Sequence, residues 1–190
     1  MMKLILASTS PYRKQLLQRL GVPFECVSPA VEEFTLPGES APATAIRLAL
    51  AKAQAVALWH PQALIIGADQ VATLDDIQLG KPGNHARAAA QLAACSGRSL
   101  TFHTALTLMG GGHELVHVEP FHVTFRHLST QEIEHYLQRD KPWDCAGSFK
   151  WESLGIALFE KLSGRDPTSL QGLPLIALTR LLAQAGQPVL

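Results

Sequence analysis

The first seventeen residues constrain the fold of this chain more than any other segment. Residues 4–7 form a short, continuously apolar run, which is typical of a buried β-strand. Three hydroxyl-bearing residues follow at 8–10, and Ser10 is a favourable helix N-cap with Pro11 at the first helical position. A strand that leads into a capped helix directs backbone N–H groups and the positive end of the helix dipole toward one spot. With Arg13 nearby, the segment predicts a binding site for an anion, and we expect that anion to be phosphate.

Composition excludes several classes of protein. Of the 190 residues, 47% are hydrophobic and 17% are charged, which is sufficient for one sizeable core and argues against disorder. The formal net charge is zero, so no general attraction to nucleic acid or to a membrane surface is expected. The chain has three widely separated cysteines and no C-x-x-C pair, which favours the cytoplasm. The apolar run at the N-terminus is too short for a signal peptide or a membrane span.

Hydrophobic periodicity predicts alternating strands and helices. We expect strands over residues 4–7, 24–27, 63–74, 100–109, 115–125 and 156–162, and helices from residue 11 and over 43–59, 85–94, 129–138 and 173–185. Three glycines at 110–112 separate two strands and indicate a long antiparallel hairpin. Ser129 with Glu132 matches a capping box. The pattern predicts an α/β fold with a mixed central sheet flanked by helices, in a single domain over residues 1–190.

Two short motifs match known signatures but lack the context that the chemistry needs. His113-Glu-Leu-Val-His117 has the letters of a zinc-protease motif, which works only on a helix. Glycines precede it and Val116, Val118 and Pro120 accompany it, so we expect a strand, on which the two histidines would lie about 13 Å apart. Gly80-Lys81 is not a P-loop, because Pro82 replaces the Ser or Thr that holds magnesium. No G-x-G-x-x-G occurs.

A few acids and lysines remain as candidates for catalysis. Asp69 follows a buried apolar run, where a carboxylate needs a partner, a metal or a cleft, although an Asp at a strand end often only caps a turn. Lys52 interrupts an apolar helix and Lys81 follows a glycine, and either one has an ordinary explanation as a solvated side chain. Glu33 belongs to an acidic loop. Together with the predicted phosphate site, these groups suit attack by water on a polyphosphate with Mg²⁺.

The combination of motifs resembles the Maf family of nucleoside triphosphate pyrophosphatases over essentially the whole chain. The matching segments are Leu-Ala-Ser-x-Ser-Pro at 6–11, Arg13, Val-Glu-Glu at 31–33, Ala-x-x-Lys-Ala at 49–53, Gly-Ala-Asp at 67–69, Gly-Lys-Pro at 80–82, Cys-Ala-Gly at 145–147 and Gly-Leu-Pro at 172–174. The resemblance implies a fold related to the inosine triphosphate pyrophosphatases, with the active site in a cleft between two lobes. It also implies cleavage of a nucleoside triphosphate to the monophosphate and pyrophosphate, with Mg²⁺ or Mn²⁺ as cofactor, in a homodimer.

The resemblance also assigns roles to residues of the predicted site. It implies that Asp69 accepts a proton and, with Glu33, holds the metal. It further implies that Ser8, Arg13, Lys52 and Lys81 contact the phosphates of the substrate.

Within the family, the chain looks most like the YceF-like subgroup active on 7-methyl-GTP. The positions that determine base choice in the family correspond to Tyr12, Gln70 and Glu152. Relatives that cleave dTTP or UTP carry Arg, Thr and Gln at these positions. A carboxylate accepts hydrogen bonds from the N1–H and N2–H₂ groups of guanine, and an aromatic face attracts the positive charge that N7 methylation creates. Glu152 taken alone would be interpreted as a surface acid.

Two alternatives stay open at this point. The same chemistry on another base, such as dTTP or UTP, is one of them. The other is a nucleotide-binding regulator of septum formation with little turnover, against which the intact Asp69, Lys52 and Lys81 argue.

Overall fold

The computed structural model describes residues 2–190. Its strands and helices alternate, as predicted, and three short 3₁₀ helices accompany them. In chain order the elements are β1 (Lys3–Leu6), α1 (Pro11–Gln18), β2 (Glu25–Cys26), α2 (Ala41–Ala57), β3 (Ala63–Leu74), β4 (Ile77–Leu79), α3 (His85–Cys95), β5 (Ser99–Gly110), β6 (His113–Phe125), α4 (Thr130–Asp140), β7 (Phe159–Gly164) and α5 (Leu175–Gln184). The 3₁₀ helices cover Ala146–Ser148, Leu154–Leu158 and Pro167–Gln171.

The strands form one mixed sheet of seven strands in the order β2-β1-β3-β5-β6-β7, with β4 paired to β3. β1 runs parallel to both β2 and β3, whereas β4 is antiparallel to β3 and β7 is antiparallel to β6. Gly111 and Gly112, both at positive φ, form the turn between β5 and β6. The prediction of a mixed sheet with helices around it is confirmed.

The chain divides into two compact units. The first contains residues 2–70, 103–120 and 165–190, and the second contains residues 71–102 and 121–164. The long strands β3, β5 and β6 each contribute one end to each unit.

The first unit has a core on both faces of β1 and β3, because successive side chains of a strand point to opposite faces. On one face, Leu64 and Ile66 pack against residues of α1 and α5 such as Leu17 and Leu178. On the other face, residues such as Ile65 pack against α2. Nearly every residue of β3 between 63 and 69 is therefore apolar and buried, up to Asp69.

The second unit has an aromatic core. Phe149 contacts Phe102, Phe125 and Phe159 edge-to-face, with ring centroids 5.5, 5.6 and 4.8 Å away. Such edge-to-face pairs add to the stabilisation that burial of the rings provides. The helix α3 packs against α4 in this unit.

Two elements differ from the sequence predictions. The strand expected from residue 156 begins only at Phe159, because residues 154–158 form a 3₁₀ helix in which a Cβ at Gly155 would clash with the carbonyl of Lys150. The short strand β4 was not predicted. It follows Asp75 and Asp76, whose φ angles of 47° and 64° form a tight hairpin turn.

The zinc-type motif lies in a strand, as predicted. His113 and His117 both belong to β6, and His117 lies 3.0 Å from the carboxylate of Glu119. Among residues 2–190, no helix combines the length and apolar character needed to span a bilayer.

Candidate active site

A glycine in β3 lets α2 approach the strand closely. A Cβ on Gly67 would clash with the carbonyl oxygen of Ala49 and lie 3.0 Å from the backbone nitrogen of Ala53. Both alanines are fully buried, and they belong to the face of α2 that also carries Lys52. The Gly-Ala-Asp segment therefore brings the backbone of α2 against β3 just before Asp69.

This close packing places Lys52 between two carboxylates. Its ammonium nitrogen Nζ lies 2.7 Å from Asp69 Oδ1 and 2.5 Å from Glu33 Oε1. The side chains of Lys52 and Asp69 are only 4% and 7% exposed, whereas that of Glu33 is 50% exposed. A lysine buried to this degree needs a partner for its charge, and here it has two. The ordinary explanation of Lys52 as a solvated side chain is wrong for this structure.

The burial of Asp69 affects its proton affinity. Desolvation raises the pKa of the Asp69 carboxyl, since burial disfavours its charged form. The contact with Lys52 and the nearby charge of Arg13 act in the opposite direction. Asp69 is thus a carboxylate with raised proton affinity that still has cations beside it, which is the environment expected of a general base.

The segment between β1 and α1 forms the predicted capped turn. Ser10 caps α1 by accepting a hydrogen bond from the backbone N–H of Arg13, and Pro11 stands at the first helical position. The Ser8 hydroxyl oxygen accepts hydrogen bonds from Ser10 N and, at 3.4 Å, from Arg13 Nη1. Because these contacts use lone pairs of the Ser8 hydroxyl, its hydrogen is left as a donor.

Arg13 is fixed by a contact with a distant part of the chain. Its Nε donates to the carbonyl oxygen of Gly172 at 2.9 Å. Gly172 has a φ of 88°, and a Cβ at this position would lie 3.0 Å from that same Nε. Glycine is therefore required both by the backbone conformation and by the approach of the guanidinium. Desolvation lowers the pKa of Arg13, an effect that Asp69 and Glu33 oppose.

Gln70 lies on the other face of β3 from Asp69. Its amide nitrogen Nε2 donates to the carbonyl oxygen of Ser169 at 2.6 Å and to Thr104 Oγ1 at 3.1 Å. Thr104 Oγ1 in turn donates to the same carbonyl at 2.9 Å. Since a carbonyl only accepts, the nitrogen of the amide must face Ser169, and Oε1 is the group of Gln70 that is left to contact a ligand.

The other predicted site residues lie elsewhere in the structure. Tyr12 is a half-buried residue in the first turn of α1. Lys81 and Glu152 belong to the second unit, and both are exposed. Desolvation raises the pKa of Glu152, and the neighbouring charges of Asp140 and Asp144 add to this effect. Five of the nine predicted residues, namely Ser8, Arg13, Glu33, Lys52 and Asp69, come together in the first unit.

The carboxylates of Asp69 and Glu33 are donors of the type that a divalent metal prefers. Residues 2–190 contain no group of three or more His, Cys, Asp or Glu side chains that could form a complete protein cage. Asp69 and Glu33 nevertheless converge on one ammonium group, so their oxygens lie close to each other. Mg²⁺ is commonly bound by one or two carboxylates together with substrate phosphates and water. The donor type and number at this site agree with that mode of binding.

Sequence analysis missed the residues that hold the predicted ones in place. Thr104 and Ser169 carry no motif of their own, and they contact Gln70 from positions far away in the chain. Gly172 was part of a matching motif, but its contact with Arg13 was not predicted.

Comparison with known proteins agrees with these features. The model of the family described as Maf-like protein matches residues 3–185. The chain belongs to the Maf family. The match includes the turn at Ser8, the Lys52–Asp69 pair and the second unit.

Curated relatives of this Maf protein share more than half of its residues. A protein of Cupriavidus metallidurans named 7-methyl-GTP pyrophosphatase is 54% identical over 97% of this chain and 94% of its own length. Proteins with the same name from Thiobacillus denitrificans and Nitrosococcus oceani are 54% and 53% identical, each over 98% of this chain and 94–95% of their own length. A solved structure, that of the Staphylococcus aureus Ham1 protein, aligns with a TM-score of 0.42 and 11% identity over 65% of this chain and 71% of that one.

Proposed function

We propose that this Maf protein is a nucleoside triphosphate pyrophosphatase that hydrolyses 7-methyl-GTP to 7-methyl-GMP and pyrophosphate. The observation that carries the proposal is the buried Asp69–Lys52 pair with Glu33, at the edge of a capped strand–helix turn. Relatives of the same family that are named 7-methyl-GTP pyrophosphatase cover nearly the whole chain at 53–54% identity, which supports the choice of substrate.

In this mechanism Asp69 accepts a proton from the attacking water. Burial raises its pKa, so the carboxylate is a stronger base than an exposed aspartate. The ammonium group of Lys52, 2.7 Å away, opposes this effect and stabilises the charged form of the carboxylate. Proton transfer to a positioned base of this kind contributes about 10²–10⁴-fold to the rate.

The phosphates of the substrate are held by groups from the turn and by lysines. Ser8 donates its hydroxyl hydrogen, and Arg13, fixed by Gly172, supplies a charged donor. Lys52 and Lys81 add positive charge. Hydrolysis of a polyphosphate needs this neutralisation, because negative charge is spread over the phosphate oxygens in the transition state.

Glu33 and Asp69 would hold a divalent metal, Mg²⁺ or Mn²⁺. When bound, such a metal neutralises charge on the phosphates and acts as a Lewis acid. Lys52, which contacts one oxygen of each carboxylate, keeps the two acids close together despite their like charge.

Base choice rests on Tyr12, Gln70 and Glu152. The carboxylate of Glu152 accepts from the N1–H and N2–H₂ groups of guanine, and Gln70 offers the acceptor Oε1. Methylation at N7 makes the base a cation, and its attraction to the ring of Tyr12 is worth about 0.5–2 kcal/mol. A uracil or thymine edge, with one donor between two acceptors, is disfavoured beside a carboxylate.

The proposal also covers the cellular location and the oligomeric state of the enzyme. All three cysteines are free thiols, which supports the cytoplasm as its location. A homodimer is part of the proposal on the strength of the resemblance, and light scattering coupled to size-exclusion chromatography measures it.

Release of pyrophosphate from a panel of triphosphates tests the proposal. The panel contains 7-methyl-GTP, GTP, ATP, dTTP and UTP, each with Mg²⁺ or Mn²⁺, and the Asp69→Asn protein serves as the control for contaminating hydrolases. We expect the highest kcat/KM for 7-methyl-GTP. A preference for dTTP or UTP would overturn the assignment of the base. Binding of the triphosphates without release of pyrophosphate from any of them would favour the alternative, a nucleotide-binding regulator of septum formation.

A further inference from the structure

Ser148 adopts a backbone conformation that disfavours any residue with a side chain. Its φ is 65°, and it directly follows Gly147 at 77°. The residue is fully buried, so the conformation is imposed by its surroundings. Glycine would occupy this position at lower cost in free energy, because it has no Cβ. The contacts of the Ser148 hydroxyl group are therefore candidates for the interaction that offsets this cost.

The Ser148 hydroxyl starts a chain of two hydrogen bonds. Ser148 Oγ donates to Gln91 Oε1 at 2.5 Å, and Gln91 Nε2 donates to the carbonyl oxygen of Gly80 at 3.0 Å. Gln91 lies in the middle of α3, a rigid element of the second unit. Because the Gly80 carbonyl only accepts, it must face Gln91 Nε2, and Gln91 Oε1 then faces Ser148. The Ser148 hydroxyl donates to this oxygen and anchors the far end of the Gln91 side chain.

The chain of hydrogen bonds ends next to Lys81. Gly80 precedes this lysine, and on the other side Gly83 N donates to the carbonyl oxygen of Trp143 at 2.9 Å. Pro82, between Lys81 and Gly83, is buried and has a fixed φ. The backbone is thus held on both sides of Lys81, while the lysine itself is exposed. An exposed lysine on a loop anchored in this way suits a binding role more than a purely structural one.

We propose that Ser148 and Gln91 are positioning residues that hold the Gly80–Gly83 loop, and with it Lys81, in the conformation that binds phosphate. The inference rests on the proposed function, since it needs Lys81 to bind phosphate. It explains the unfavourable conformation of Ser148 as the cost of a hydroxyl that anchors the side chain of Gln91. It also adds two residues, outside the Gly-Lys-Pro segment at 80–82, to the machinery for phosphate binding.

A double-mutant cycle between Ser148 and Lys81 tests the proposal. The four proteins are wild type, Ser148→Gly, Lys81→Ala and the double variant, and kcat/KM for 7-methyl-GTP is measured for each. Glycine removes the hydroxyl but relieves the backbone, so the variant is expected to unfold at the same temperature as wild type or above it. We expect Ser148→Gly to lower kcat/KM about tenfold, which corresponds to about 1.4 kcal/mol. In the Lys81→Ala background the same change should have less than about a twofold effect.

Two further variants and one binding measurement separate positioning from stability and from catalysis. Ser148→Ala keeps the unfavourable φ and loses the hydroxyl, so it should be less stable than Ser148→Gly but equally impaired in kcat/KM. Ser96→Ala, which removes a half-buried serine contact at the C-terminal end of α3, is the matched control and should retain full activity. Calorimetry measures the binding of inorganic pyrophosphate to the same four proteins. These affinities give the double-mutant cycle without hydrolysis.

The outcomes are distinguishable. If Lys81→Ala impairs the enzyme and Ser148→Gly does not, the inference is overturned and the proposed function stands. An equal effect of Ser148→Gly with and without Lys81 also overturns it, since the role of the serine would then be structural. If wild type hydrolyses no triphosphate but the cycle for pyrophosphate binding shows the coupling, the inference is supported and the proposed function is overturned. Lack of pyrophosphate binding by wild type overturns the inference.

Discussion

Asp69 and Gln70 are consecutive in β3, and their side chains lie on opposite faces of the strand. Asp69 faces α2 and pairs with Lys52, whereas Gln70 faces the 3₁₀ helix at 167–171 and donates to the Ser169 carbonyl. The alternation of a strand thus gives two neighbouring polar residues two different environments. One environment suits proton transfer, and the other fixes an amide whose remaining acceptor can contact a ligand.

Asp69→Asn tests the role of the carboxylate. The amide is nearly isosteric and still accepts from Lys52, so the fold and the binding of nucleotide are expected to persist. The amide does not accept a proton from water at neutral pH, and we expect kcat to fall by about 10²–10⁴-fold. Steady-state kinetics gives kcat, and calorimetry with 7-methyl-GTP gives the dissociation constant. A variant with wild-type kcat would remove Asp69 from the mechanism.

Gly67→Ala tests the close approach of α2 to β3. The added Cβ would clash with the Ala49 carbonyl, which is backbone and cannot rotate away. We expect a loss of about 1–3 kcal/mol in the free energy of unfolding, together with lower kcat because Lys52 moves relative to Asp69. Urea unfolding measures the first effect. Gly80→Ala is the control for stability, since a Cβ there meets nothing within 4 Å; equal midpoints for the two variants would contradict the prediction.

Thr104→Val tests the orientation of Gln70. Valine has the shape of threonine but neither accepts from Gln70 Nε2 nor donates to the Ser169 carbonyl. Freed from one of its two partners, the amide is expected to reorient, and the ratio of kcat/KM for 7-methyl-GTP to that for dTTP should fall about tenfold. Thr73→Val, at a buried threonine near the C-terminal end of β3, is the matched control. The same ratio in wild type and both variants would exclude a role for Thr104 in base choice.

Local patterns predicted much of this fold, and contacts between distant residues escaped prediction. Ser10 and Pro11 marked the start of α1, and Ser129 with Glu132 marked that of α4, because capping acts within a few residues. The pairing of Lys52 with both Asp69 and Glu33 depends on α2 returning over β3, which no local signal encodes. Family motifs named all three residues, but only the structure shows that one ammonium group joins the two acids.

The sequence was least informative where side chains hold other side chains in place. Thr104 is 34 residues from Gln70 in the chain, and Ser148 is 57 residues from Gln91. Single threonines and serines have no pattern that distinguishes such a role from an ordinary surface or core position. The positive φ of Ser148 is also invisible in the sequence, where glycine would have been the expected residue.

Glu132→Gln tests the electrostatics of the α4 capping box by its pH dependence. Hydrogen bonds from Ser129 and Arg126 lower the pKa of Glu132 from 4.5 to about 2. Because the pKa is lower in the folded protein than in the unfolded chain, the ionised carboxylate stabilises the fold above about pH 4.5, and this contribution disappears as the pH falls toward 2. The difference between the urea midpoints of wild type and Glu132→Gln should therefore be largest at pH 7 and shrink steadily from pH 5 to pH 3. Glu114→Gln, at an exposed position in β6, is the control and should show a smaller difference. A difference for Glu132→Gln that stays constant over this range would show that its carboxylate contributes through packing and not through its charge.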